Sequence, residues 1–127
     1  MYELTVGRYR ETQILSESPG RILLMLYDGA IRASREAARA IQSRDYVAKA
    51  KAIDRAVAII SELSAGLRHE LAPELCRNLE LLYHYMVEQL TAASLKMDVA
   101  PVERVQRHLV DLRSSWAAAI EGESCEP

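Results

Sequence analysis

Helical periodicity constrains this chain more than any other feature. Apolar residues recur at intervals of three and four along most of its length, and no stretch alternates every second residue as a half-buried strand would. The pattern is cleanest toward the end. There Val102, Val105, Leu109, Leu112, Trp116 and Ala119 form one stripe, while Glu103, Arg104, Gln106, Arg107, Asp111 and Arg113 take the remaining faces. Upstream, Leu75, Leu79, Leu82, Met86, Leu90, Ala93 and Met97 make a second stripe. Tyr46, Ala50, Ile53, Val57, Ile60, Ser64 and Leu67 make a third, with Ala52, Ala56, Ile59 and Leu63 beside it. The first helix opens on Ser18-Pro19, a capping hydroxyl followed by the residue that suits a first helical position, and places Ile22, Leu23, Leu26, Ala30, Ala33, Ala37 and Ile41 on one face.

The breaks between stripes are short. Ser43-Arg44-Asp45 reads as a turn with Asp45 capping the next helix, Gly66 and Ala72-Pro73 end the second, and Asp98 to Pro101 separates the last two. Helices are predicted over about 19–42, 46–68, 73–96 and 101–120. Short loops force consecutive helices to be antiparallel neighbours, so the expected fold is all-α, an antiparallel up-down four-helix bundle over 18–121. Residues 1–17 are read as an N-terminal arm that docks, because Tyr2, Leu4, Val6, Tyr9, Ile14 and Leu15 would be wasted on a solvated tail. Residues 122–127 are read as a short, disordered acidic tail.

Composition narrows the function classes. At 127 residues, 50% hydrophobic and 27% charged, the chain suits one soluble domain with a real core. A formal net charge of -2, with arginines interleaved among acids, leaves no footprint for nucleic acid. No apolar run is long enough for stable membrane insertion and no secretory signal is recognisable, which points to the cytoplasm. Cys76 and Cys125 lack CxxC spacing and are read as reduced thiols.

Two helices carry apolar residues beyond one face. Leu24, Tyr27 and Ile31 flank the main stripe of the first helix, and Tyr83 and Val87 double that of the third. These are expected to stay outside the core and line a groove for an amphipathic partner. Gly29 lies inside a helix, where glycine costs about 1 kcal/mol relative to alanine. Either helices pack closely there, or a partner or the arm lies against the backbone. The aromatic area is nearly all tyrosine, six residues with no phenylalanine, which suits a surface that is dry when bound and wet when free.

Chemistry finds little footing. No histidine follows a glutamate at the Glu-x-x-His spacing of a di-metal bundle. Glu80, His84 and Glu88 share a helix face, which reads more simply as solvated, partly compensating charge. A phosphotransfer histidine would want a nearby cation, but His84 sits between Tyr83 and Tyr85 and near carboxylates. Nucleophile and phosphate-loop motifs are missing. No catalytic, cofactor or metal residue is therefore expected, and a binding module is the leading reading. The alternatives are a phosphotransfer or metal-binding bundle centred on His84, or a generic helical adaptor.

The stretch Ser-Pro-x-x-Ile-Leu-Leu-Met-Leu-Tyr-Asp-Gly-Ala-Ile, Ser18 to Ile31, closely resembles the signature of the flagellin-specific export chaperones, the FliS family. Lys51-Ala52-Ile53-Asp54-Arg55-Ala56, Asn78-Leu79-x-x-Leu82-Tyr83-x-Tyr85-Met86 and Leu112-Arg113-x-x-Trp116 are similar to the family's later helices, in order and at compatible spacing. Tyr9 stands where the family places a tyrosine ahead of Ser-Pro. Ala93-Ser94 departs from the usual Ala-Asn, and the link over 69–74 is shorter than the common glycine-rich version. The resemblance implies a non-enzymatic cytosolic chaperone that holds the C-terminal segment of flagellin along the bundle, blocks premature polymerisation and presents the subunit to the flagellar export gate. Tyr9, Ile14, Leu24, Tyr27, Gly29, Ile31, Tyr83 and Val87 are the expected partner-binding residues. The arm covers part of the groove until flagellin displaces it, or Tyr9 meets the gate instead. A homodimer is a further way to cover the same face when no client is bound.

Overall fold

The computed structural model describes residues 19–124. They form four helices: α1, Pro19–Gln42; α2, Tyr46–Ala65; α3, Pro73–Lys96; and α4, Val99–Ser124. Helix α1 packs on α2 and α4, and α3 packs on the same two, so each helix occupies a corner with two neighbours. Contacts run in opposite directions along every adjacent pair. Gly29 faces Ile59 and, further along, Glu36 meets Arg55. Tyr85 stacks edge-on against His108, while Gln89 accepts from Arg104. The bundle is antiparallel and up-down, as the short loops require. Tyr27, Ile60, Met86, Leu90, Val102, Val105 and Leu109 are its fully buried centre.

Local chemistry sets the helix ends. The Asp45 carboxylate accepts from the Ala48 N–H at 3.0 Å and caps α2. At the end of α1, the Asp45 N–H donates to the Ala40 carbonyl and the Arg44 N–H to that of Ile41. This pair of bonds satisfies carbonyls that the helix leaves free, and it forces Arg44 into the left-handed region at φ 56°. Met97 does the same for α3 at φ 51°, with the Asp98 N–H reaching the Ala93 carbonyl.

Two boundaries differ from expectation. Helix α2 ends at Ala65, where Gly66 caps it. Helix α4 begins at Val99, because Pro101 is tolerated anywhere in a first turn whose N–H groups have no intrahelical partner. It also runs on to Ser124, through positions assigned to a loose tail. The extension has a packing cause. A Cβ on Gly20 would lie 3.0 Å from Ile120, so the bare backbone of α1 lets the last turns of α4 lie directly against it. One further tie is ionic: the Arg113 guanidinium donates to both Asp28 oxygens, at 2.7 and 3.4 Å, across α1 and α4. The pair is half exposed, so it contributes about 1 kcal/mol or less.

Candidate functional site

At the end of the bundle where α1 begins, the four helices do not close over one another. A cleft of about 290 Å³ opens there. Its walls are Leu23 and Leu26 from α1, Leu63 and Leu67 at the end of α2, Leu79 and Tyr83 from α3, and Trp116 from α4. The connector after α2 and the first turn of α3 add Leu71 and Leu75. These two are 71% and 50% exposed, so a dry lining continues out onto the surface. Only Glu62 and Arg68 bring charge to it. The concavity is apolar and the leucines at its rim stand in water, which makes it the candidate site.

Of the described residues expected at the partner site, only Tyr83 lines the cleft. Tyr27, Ile31 and Tyr83 belong to the core, each almost wholly buried. That corrects the expectation that the bundle has no need of them. A helix at the corner of a square bundle meets two neighbours, so its apolar arc spans both the main stripe and the flanking face. Val87 is half-buried against the core, and Leu24 is half-buried. Gly29 lies outside the cleft, and a Cβ there would come 3.3 Å from the Ile59 side chain, which favours close packing of α1 on α2. Tyr9 and Ile14 lie outside the described residues. Conversely, Leu23, Leu26 and Leu75, expected in the core stripes, line the opening. One signal in the sequence could have found it: large residues occupy the stripes near Pro19 and Pro73, but alanines fill the corresponding stripe further along α1.

On the far side of Tyr83, a second and more polar groove of about 420 Å³ runs between α2 and α3, bordered by Leu81, His84 and Val87. His84 lies on this rim with its Nε2 2.8 Å from the Glu88 carboxylate, and His69 contacts Glu80 at 3.0 Å. A phosphoryl group on His84 would meet that carboxylate where it needs a cation. Among the described residues no group of three or more ligating side chains is placed to hold a metal.

The floor of the cleft is tied by a polar cluster. The Trp116 Nε1–H donates to the Tyr27 hydroxyl oxygen at 3.1 Å, and the Tyr27 and Tyr83 hydroxyls are hydrogen-bonded at 2.5 Å. The bonds link α1, α3 and α4 across the bundle. Burial raises both phenols above the ordinary tyrosine value, and for Tyr83 the bond to Tyr27 raises it further. In the unfolded chain a tyrosine ionises near pH 10. Above that pH the unfolded state has lost protons that the native state keeps, so stability falls as pH rises. A tyrosinate absorbance titration is expected to show two tyrosines ionising only as helical circular dichroism is lost. Six tyrosines titrating freely in a folded bundle would contradict the burial.

No described helix is long and apolar enough to cross a membrane. The family model described as flagellar protein FliS matches residues 2–123. The chain is 36% identical over 107 residues to the flagellar secretion chaperone FliS of Salmonella typhimurium, covering 84% of this chain and 79% of that one. To the protein of the same name from Bacillus subtilis it is 32% identical over 115 residues, covering 91% and 85%. A crystal structure of a bacterial flagellar chaperone superposes with a TM-score of 0.77 at 18% identity, covering 96% of this chain and 99% of that one, which shows the same fold. The signature from Ser18 to Ile31, the antiparallel bundle and these matches agree: the chain belongs to the FliS family of flagellar secretion chaperones.

Proposed function

We propose that this protein is a non-enzymatic cytoplasmic chaperone that holds the C-terminal segment of flagellin in the apolar cleft, prevents its polymerisation and delivers it to the flagellar export gate. The observation that carries this reading is the cleft itself, dry inside and continued by exposed Leu71 and Leu75, in a chain of this family. Flagellin's ends assemble by burying apolar helix faces, and a chaperone that competes with assembly must offer a comparable surface. An amphipathic segment laid into a groove meets that need. Ordering the client costs on the order of 2–5 kcal/mol, which an extended contact offsets.

The first turns of α1 supply Leu23 and Leu26 to the cleft, and α1 directly follows the arm in sequence. Tyr9 and Ile14 are the arm's candidate plugs. Titrating a flagellin C-terminal fragment into the full chain is expected to give saturable one-to-one binding. A chain lacking 1–17 is expected to bind more tightly. Failure of the full chain to bind would overturn the chaperone reading. Unchanged or weaker binding after truncation would overturn only the plug, leaving Tyr9 as a contact for the gate.

A further inference from the structure

The face of the bundle between α1 and α4 carries positive charge that the residues around it do not neutralise. It lies opposite the α2–α3 side, where Leu81 and Leu95 stand exposed beside their grooves. A groove of about 390 Å³ separates Asp28, Arg32 and Arg35 of α1 from Val110, Arg113 and Ser114 of α4. Among the described residues, three guanidinium groups border it against one carboxylate. That carboxylate is already engaged, because both Asp28 oxygens accept from Arg113. Glu36, the other acid on this part of α1, pairs with Arg55 on α2, away from the groove. Arg32 and Arg35 are exposed and have no hydrogen-bond or ion-pair partner among the described residues. Between the basic rows the floor is apolar, with Ile31 buried and Val110 37% exposed.

We propose that this groove is a docking site for an acidic helical segment of a second protein, separate from the apolar cleft. A guanidinium presents a planar fork that a carboxylate matches with two hydrogen bonds. Arg32 and Arg35 lie three apart on α1, about 5–6 Å between their Cβ atoms, which is also the spacing of carboxylates three or four apart on a partner helix. An apolar residue on the same face of that helix would cover Val110. Arg113 uses Nε and one Nη on Asp28, which leaves its other Nη for the incoming chain. Two other polyanions fit less well. A nucleic-acid backbone needs a long basic track, whereas Asp28 to Arg35 is only about 10 Å of helix and the chain as a whole carries a net charge of -2. A lipid surface calls for apolar side chains projecting beside the cations, whereas these arginines border a recess in which only Val110 is partly exposed. The groove and the cleft share no lining residue, so both can be filled at once. Nothing in this groove depends on what fills the cleft.

The probe is an alanine-based helical peptide of about 16 residues, with two glutamates four apart and a leucine on the same face, titrated into the isotope-labelled full-length protein. The resonances of Arg32, Arg35 and Val110 are expected to shift saturably, while the indole resonance of Trp116 in the cleft wall stays in place. Raising the salt to about 0.5 M is expected to weaken binding at least about fivefold. Arg32→Glu with Arg35→Glu is expected to weaken it about tenfold or more, and the milder Arg32→Gln with Arg35→Gln about fivefold. Lys51→Glu with Arg77→Glu makes the same change in net charge at exposed positions on α2 and α3, and is expected to stay within about twofold. A peptide with glutamine in place of glutamate, or with its two glutamates adjacent, is expected to bind about fivefold more weakly. No shift at the groove, an equal loss in the Lys51 and Arg77 variant, or equal affinity for the glutamine peptide would overturn the proposal. So would tighter binding, through the same arginines, of phosphatidylcholine vesicles with about 30% phosphatidylserine or of a DNA duplex of about 20 base pairs. The glutamate variant is expected to bind the flagellin C-terminal fragment as the unaltered chain does. Joint loss of peptide and flagellin would put the client in the groove and overturn the separate site. A chain that ignores flagellin yet keeps the acidic peptide supports the groove and sinks the chaperone reading instead.

Discussion

Changing Leu71 and Leu75 together to aspartate is expected to weaken binding of the flagellin C-terminal fragment by about a hundredfold or more, with thermal stability nearly unchanged. Both side chains stand largely in water in the free protein, so the fold loses little when they go. A bound client would bury them. Covering a leucine fully is worth about 1.5–3 kcal/mol, and the half or more that is exposed in each recovers roughly 3 kcal/mol between them, about two decades in Kd. The aspartates add a desolvation cost on top of that loss. Val110→Asp is the control, since Val110 is also exposed but lies beside the α1–α4 groove, away from the cleft. Calorimetric titration of both variants locates the site. If the Val110 variant fails to bind and the double variant binds normally, the client occupies the opposite face and the cleft has another purpose.

Tyr27→Ala is expected to lose at least about 4 kcal/mol of stability, a large share of what a small domain holds. Removing a buried aromatic ring costs about 3–5 kcal/mol by itself. It also strips the Trp116 N–H and the Tyr83 hydroxyl of their partner, in a region where a lost bond is paid at the full desolvation cost. Small domains hold only 5–15 kcal/mol in reserve. Tyr27→Phe keeps the ring and strands the polar groups, so it is expected to cost about 2 kcal/mol. Denaturant unfolding followed by helical circular dichroism separates the two contributions. A loss below about 1.5 kcal/mol for the alanine variant would mean that the three helices are not joined through this residue.

Much of the architecture was legible because helices are local objects. The starts at Pro19 and Pro73, the cap at Asp45 and the end of α3 at Lys96 depend on residues within a turn of one another. The late end of α4 was not legible. It depends on Ile120 finding the bare backbone of Gly20, a contact between opposite ends of the chain that no local signal encodes. The candidate site divides in the same way. A surplus of apolar residues was visible, and an apolar opening exists, yet Tyr27 and Ile31 went inward, Tyr83 is buried with only an edge at the opening, and Leu23, Leu26 and Leu75 line it. Periodicity reports the angle of a side chain about its helix axis. It does not report how far along the axis the neighbouring helix still covers that angle.

What the amino-acid order alone determined is the number of helices, their antiparallel sequence and the family signature on the first of them, since period, caps and loop length act within a few residues. Only the assembled bundle decided which apolar residues are left without cover. Each corner helix satisfies two neighbours at once, and cover runs out where the chain leaves α2 and crosses to α3, so the opening belongs to the end of the bundle rather than to a face of any one helix.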